Sequence, residues 1–212
     1  MLNRLKSLSF SLGKPAGFLV LVAVATTAFF VGGELLDESG APTSFHDMRV
    51  LPPDDLMILI DGGDPQVGEL ARRLGSTQEA YRHVRDRIAF EPSRPAGGPA
   101  ETIAAGRASC LGKAALLASL YRALGMEHGE VRVVTGQVAY GDELTEHAWL
   151  ELEHDGVCLQ QDATPLLGTF AFDEFRGRAY TQRFVWRELF CFNDEGFAVV
   201  SQLNRFGGGH PH

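Results

Sequence analysis

Three hydrophobic patterns succeed one another along this chain: an unbroken apolar run, a helical period, then strict alternation. Residues 15–33 carry no charge, and Phe18 to Val31 is the apolar heart of that stretch. From 34 to 56 the period disappears. Asp37, Glu38, Ser39, Gly40, Pro42, Pro52, Pro53, Asp54 and Asp55 give this part the composition of a linker. The folded region is expected to begin near Met57–Ile60. Helical spacing starts at Asp64-Pro65, with Pro at the first helical position and Val67, Leu70, Ala71 and Leu74 on one face. Ser76-Thr77-Gln78-Glu79 has the form of a capping box. It opens a second helix, with Tyr81, Val84 and Ile88 on its inner face. Phe90 to Ala105 is rich in Pro and Gly and reads as a loop. A third helix fills Gly106 to Gly125: Ser109 is a good N-cap, Cys110 falls in the first turn, and Gly125 ends it. Leu111, Ala114, Ala118 and Tyr121 recur at helical spacing, as do Leu117, Leu120 and Leu124.

Downstream the period shortens to two. Val131–Val138 reads as a strand, and so does His147–Glu153. Val157–Asp162 comes after His154-Asp155-Gly156, and Asp-Gly is a strong hairpin signal. With Asp155 and Gly156 as a two-residue loop, His154 faces Val157 and Trp149 faces Asp162. His147 is then the diagonal neighbour of Asp162 on the same face, about 7–8 Å away at the backbone. Phe184–Phe192 and Phe197–Leu203 complete the strands, and their aromatic residues read as core. Helices succeeded by hairpin-linked strands indicate an α+β domain.

The chemistry concentrates in three of these residues. A thiol in the first turn of a helix sits in the positive field of unpaired N–H groups, which favours the thiolate. Taken singly, Cys110 reads as a small core residue, His147 as a surface histidine and Asp162 as a turn residue. Taken together, they supply a nucleophile, a base and a group to orient the base. The Cys110 backbone N–H is the leading oxyanion donor. Gln137, Gln160 and Gln161 are candidates for a second donor, and none stands out. Trp149, on the His147 face, either shields the His–Asp hydrogen bond from water or is core.

The wording of these segments resembles the transglutaminase-like superfamily, a papain-related group of Cys-His-Asp enzymes. The resemblance rests on a Cys opening an Ala/Leu-rich helix that ends in Arg-Ala-Leu-Gly, then His-Ala-Trp-Leu-Glu, then Asp-Ala-Thr. Pro99-Ala100-Glu101-Thr102 upstream also suits it, and the likeness spans about Asp64 to Pro165. Family members often carry Gly two residues before the Cys, where this chain has Ala108. The resemblance implies a papain-like core with helices on one side of a mainly antiparallel sheet. It implies Cys110 as nucleophile, His147 as base and acid, and Asp162 as orienting residue. It implies acyl transfer on amide bonds of a protein or peptide substrate, with no cofactor. A cysteine peptidase or amidase is the leading expectation. A crosslinking transglutaminase and a non-catalytic binding domain on the same fold are the alternatives.

Composition and address narrow the setting. The chain has 212 residues and a formal net charge of −8. That acidic balance, with no basic stripe, argues against a nucleic-acid partner. Arg4, Lys6 and Lys14 precede the apolar run, the arrangement that exports the chain beyond it. The run reads as an uncleaved membrane anchor, with a cleaved signal sequence or a buried helix as other readings. The expected organisation is an anchor or signal over 1–33, a linker over 34–56, the catalytic domain over 57–206 and a tail over 207–212. The domain would face the periplasm. Three cysteines leave at least one without an intramolecular partner, and Cys158 could pair with Cys191. No Cys-x-x-Cys or His-x-x-x-His spacing suggests zinc. Asp142, Glu143 and Glu146 form an acidic loop, read as solvated, with calcium as the alternative.

Overall fold

The computed structural model describes residues 51–200. The apolar run, most of the linker, the tail and the end of the last predicted strand lie outside the described residues. Among the described residues, no helix is long and apolar enough to cross a membrane. The helices are α1 (Pro53–Met57), α2 (Pro65–Leu74), α3 (Thr77–Arg87), α4 (Pro99–Ala105), α5 (Cys110–Ala123) and α6 (Ala179–Phe184). The strands are β1 (Ala89–Phe90), β2 (Arg107–Ala108), β3 (Val131–Tyr140), β4 (Glu143–His154), β5 (Val157–Gln161), β6 (Phe175–Arg176), β7 (Val185–Phe192) and β8 (Phe197–Val199). Strands β1 and β2 form a short parallel pair. The other six make one antiparallel sheet in the order β6-β5-β4-β3-β7-β8.

Local chemistry sets the helix starts. The Asp64 carboxylate accepts the N–H groups of Gln66 and Val67, with Pro65 at the first helical position. Ser76 Oγ accepts from Glu79 N at 3.2 Å, which is half of a capping box. The Glu79 carboxylate turns to Arg82 instead. The Pro/Gly-rich stretch before Cys110 is not wholly loop, since Pro99–Ala105 forms α4. Helix α1 falls within the stretch that reads as linker, and it buries Leu56.

Helix α5 is buried from Cys110 through Tyr121, as expected of a helix with no polar face. Gly112, Ala114, Ala115 and Ala118 keep its surface thin, and it touches α2, α3, α4, β3 and β4. Strand alternation then sorts the sheet into two faces. Val131, Val133, Ala148, Leu150, Leu152 and Leu159 share a core with α5. Val134, Val138 and Trp149 pack on the other face with Phe170, Phe175 and Tyr180 of the chain leading into α6. Helical structure therefore covers both faces, where the sequence reading expected one. Helix α6 is only six residues long, too short for a periodic signal.

Candidate active site

The β4–β5 hairpin has the register expected from its turn. His154 pairs with Val157 and Leu150 with Gln161, which puts Asp162 one step on, level with Trp149. Asp155 and Gly156 have φ of 52° and 73°, the left-handed pair that a two-residue hairpin loop needs. Gly136 on β3 faces His147. A side chain there would come within 2.9 Å of Trp149, so the absent Cβ is what lets the indole lie against the sheet.

His147 and Asp162 meet in the interior. His147 Nε2 lies 2.9 Å from Asp162 Oδ2, and neither side chain is exposed. Every acceptor on Asp162 is used. Oδ1 accepts from Thr164 N (2.9 Å) and Thr164 Oγ1 (2.7 Å). Oδ2 accepts from His147 and from the Tyr180 hydroxyl at 2.9 Å. The main-chain oxygen accepts from the Tyr81 hydroxyl at 2.9 Å. This arrangement assigns the imidazole tautomer. Thr164 Oγ1 is also 3.2 Å from His147 Nε2. Its single proton goes to Asp162, so towards the ring it acts as an acceptor, and Nε2 carries the hydrogen.

The other ring nitrogen, Nδ1, is buried without a hydrogen-bond partner. The Cys110 thiol is the nearby group, close enough to favour the imidazolium. Burial opposes the charged ring, but Asp162 and then Cys110 outweigh it and raise the His147 pKa to about 10. Burial likewise works against the Asp162 carboxylate, and His147 and Thr164 overcome it to hold its pKa below the usual value. Cys110 is at the first position of α5. Ser109 Oγ accepts from Gly112 N at 3.4 Å, and the Ser109 carbonyl accepts from Lys113 N. The Cys110 N–H, at the first helical position, has no intrahelical partner by geometry.

The remaining candidates separate. Gln160 gives its amide protons to Glu151 and Thr181. Gln161 bonds Tyr121 and the Phe172 carbonyl. Both are committed to structure and are not free oxyanion donors. Gln137 lies on β3 opposite Glu146, beyond His147. Trp149 is fully buried against the Tyr180 ring, 5.5 Å between centroids. On β4 it shares the face of His147. No Cys158–Cys191 bridge forms, and all three cysteines are free. The sheet order explains this: β4 and β3 separate β5 from β7, so the two lie three strand spacings or about 14 Å apart. A disulfide spans about half of that. Among the described residues no three His, Cys, Asp or Glu side chains converge as a metal site, the acidic loop at Asp142 and Glu143 included.

Sequence reasoning missed Tyr180, Tyr81 and Lys113. Thr164 stood in the Asp-Ala-Thr wording, and an Asp two residues before a Thr is a local signal for the turn it makes. Lys113 is buried in the first turn of α5, and its Nζ bonds the carbonyls of Ile88 (2.5 Å) and Arg85 (3.2 Å) at the end of α3. Burial lowers its pKa to about 8, against the pull of Asp162 and Asp86. Nothing in the linear pattern places either tyrosine hydroxyl on Asp162.

Among known proteins, no curated sequence matches the chain. Among solved structures, calcium-bound LapG of Legionella pneumophila superposes with a TM-score of 0.46 at 15% identity, covering 67% of this chain and 80% of that one. EGTA-treated LapG gives 0.45 at 14% identity, covering 75% and 84%. A Cytophaga hutchinsonii protein described as a candidate cysteine protease gives 0.43 at 18% identity, covering 73% and 55%. Residues 64–162 match the family model of the transglutaminase-like superfamily, from the N-cap of α2 to the carboxylate that orients His147. Over Asp64 to Asp162, a little under half of its length, this chain is similar to the transglutaminase-like superfamily.

Proposed function

We propose that this domain is a thiol-dependent amide hydrolase, a peptidase or amidase, with Cys110 as nucleophile. The observation that carries the reading is the state of His147. Its Nε2 is committed to a buried carboxylate, and the ring also interacts with the Cys110 thiol at a helix N-terminus. The raised pKa of the ring favours imidazolium at neutral pH, which supplies the proton that the leaving nitrogen needs. In the reaction the Cys110 thiolate attacks the amide carbonyl, and the Cys110 N–H faces the developing oxyanion. The Nδ1 proton passes to the leaving nitrogen, the C–N bond breaks, and a thioester remains. His147, now neutral, takes a proton from water as the water oxygen attacks the thioester. Collapse expels the thiolate and restores the starting pair. Asp162 keeps Nε2 protonated throughout, so that only Nδ1 exchanges protons.

Water is the preferred acceptor. Gly106 and Arg107, just before Cys110, are a small and a charged residue, half-buried and exposed. Trp149, the apolar residue of the His147 strand, is instead fully buried against Tyr180. A rim of this composition gives an amine no advantage over water.

Limited iodoacetamide treatment at pH 7 tests the reading. Cys158 is exposed, and Cys191 is half-buried. Burial holds both thiols above their usual pKa. Cys110 is expected to label first by mass spectrometry, although it is only 4% exposed. His147→Gln should remove that preference. Labelling of Cys110 no faster than Cys158 would overturn the assignment.

A further inference from the structure

Asp162 is a carboxylate buried to 1% exposure, and two of its four side-chain hydrogen bonds come from its own turn. Besides His147, the only side chain among the described residues that reaches its carboxylate from another element is Tyr180. That hydroxyl shares Oδ2 with the His147 Nε2–H. Tyr180 is itself fully buried, and burial together with Asp162 keeps its pKa above the usual value, so it stays a neutral donor.

What places Tyr180 is unusual. Helix α6 has six residues and no side-chain cap. So short a helix has little stability of its own, and its position is set by tertiary contacts. One contact is the aromatic cluster, in which Tyr180 meets Trp149, Phe175 and Phe184 at 5.2–5.5 Å. The other is polar and runs through the next residue. Thr181 N donates to Gln160 Oε1 at 3.0 Å, Thr181 Oγ1 accepts from Gln160 Nε2, and it donates to Glu188 at 3.2 Å. Arg178 closes on Glu188, and Arg132 closes on Glu151, which accepts from Gln160. The belt therefore links β3, β4, β5, β7 and α6. Gln160 is two residues from Asp162, so the belt ties α6 to the strand that ends in the carboxylate.

We propose that Tyr180 is a positioning residue of the site: it holds the Asp162 carboxylate, and through it the His147 ring, in the orientation that Cys110 chemistry requires. The proposal rests on the reading of Cys110 and His147 as nucleophile and base. Without the hydroxyl, Oδ2 keeps only the imidazole N–H. Its charge then acts more fully on the ring, and the carboxylate gains freedom to rotate. The imidazolium is held to higher pH, and the ring is held less well towards the thiol.

The test measures iodoacetamide alkylation of Cys110 against pH in the full chain, for wild type, Tyr180→Phe, Thr181→Val and His147→Gln. In the wild type the rate should change twice, once as the thiol ionises and once as His147 loses its proton. His147→Gln should abolish the second step. Tyr180→Phe should move that step up by about half a pH unit or more. It should also lower kcat on any amide substrate by about tenfold with KM unchanged, as expected for a lost hydrogen bond to a charged group. Thr181→Val keeps the hydroxyl of Tyr180 but loosens α6, and should give a smaller shift in the same direction. A merely structural role would lower the melting temperature of Tyr180→Phe and leave the step in place, which would overturn the proposal. A wild type with no step dependent on His147 would overturn the Cys–His reading itself, so the two failures are distinguishable.

Discussion

The two faces of the sheet are held in different ways. On the α5 face, Leu116, Leu117, Leu120 and Ala118 share an apolar core with Val133, Leu150 and Leu152, and the Tyr121–Gln161 hydrogen bond is a local polar contact within it. On the α6 face, an aromatic cluster lies beside a belt of buried hydrogen bonds from Arg132 to Arg178. The first face stabilises through buried area and tolerates no cavity. The second fixes direction, because each hydrogen bond specifies an angle and an orphaned partner is costly. The candidate site combines both. Cys110 is delivered by the apolar helix, and Asp162 is aligned by the polar face. The division predicts that damage to one face shows mainly in stability and damage to the other mainly in chemistry.

Asp162→Asn is the sharpest way to break that division. It removes the charge that stabilises imidazolium and the acceptor that keeps Nε2 protonated. Turnover of whichever amide the wild type hydrolyses should fall by about 10⁴-fold. The far-ultraviolet spectrum should stay that of the wild type, since α5 and its core are untouched. Turnover by Asp162→Asn within about tenfold of wild type would mean that orientation of His147 does not limit the reaction.

One residue of each face gives the next contrast. Leu117 is fully buried in the α5 core, and Leu117→Ala should cost about 2–5 kcal/mol in urea unfolding. Its Cys110 alkylation profile should keep the wild-type shape. Gln160→Ala, in the belt, leaves Glu151 and Thr181 short of partners and should cost about 1–3 kcal/mol. It should nevertheless disturb the His147 step in that profile. If Leu117→Ala moved the step and Gln160→Ala did not, the division of labour between the faces would be reversed.

This asymmetry also decides what a sequence reader can see. Helix α5 was legible because Leu111, Ala114, Ala118 and Tyr121 recur at helical spacing between the Ser109 cap and the Gly125 stop. The His147–Asp162 pairing was legible because Asp155-Gly156 fixes the register by one local rule. Tyr180 and Thr181 obey no such rule. They lie 18 and 21 residues from Asp162 and Gln160, in a six-residue helix, and they meet their partners only once the sheet has formed. Lys113 was hidden for the opposite reason. A lysine in a helix normally reads as a solvated position, yet here it serves as a cap for α3. Whether Cys158 and Cys191 pair or stay separate thiols was open in the sequence, because residue counting is blind to strand order.

The smallest effect expected is a change of slope in stability against pH, and it compares two buried cations. His147 has a folded pKa raised from 6.5 to about 10. The folded state therefore holds a proton that the unfolded chain has lost, and this stabilisation, complete below about 6.5, drains away as pH rises towards 10. Lys113 has the opposite sign. Its folded pKa is lowered from 10.5 to about 8, so above 8 the folded state is relieved of a buried charge that the unfolded chain still carries. Stability should thus fall between about 6.5 and 8, by at most about 1.4 kcal/mol per pH unit for one proton. Between about 8 and 9 the two terms oppose each other and the curve should level. Above the usual thiol value of 9.0, Cys158 and Cys191, pushed up by burial, add again to the loss. Urea titrations at half-unit steps would resolve this shape. Lys113→Met should remove the level stretch and give a continuous fall from about 6.5 to 9, displaced downward because the Ile88 and Arg85 carbonyls lose their donor. His147→Gln should remove the first fall and leave a rise above about 8. A Lys113→Met curve that still levelled at pH 8 would show that the level stretch does not come from the lysine.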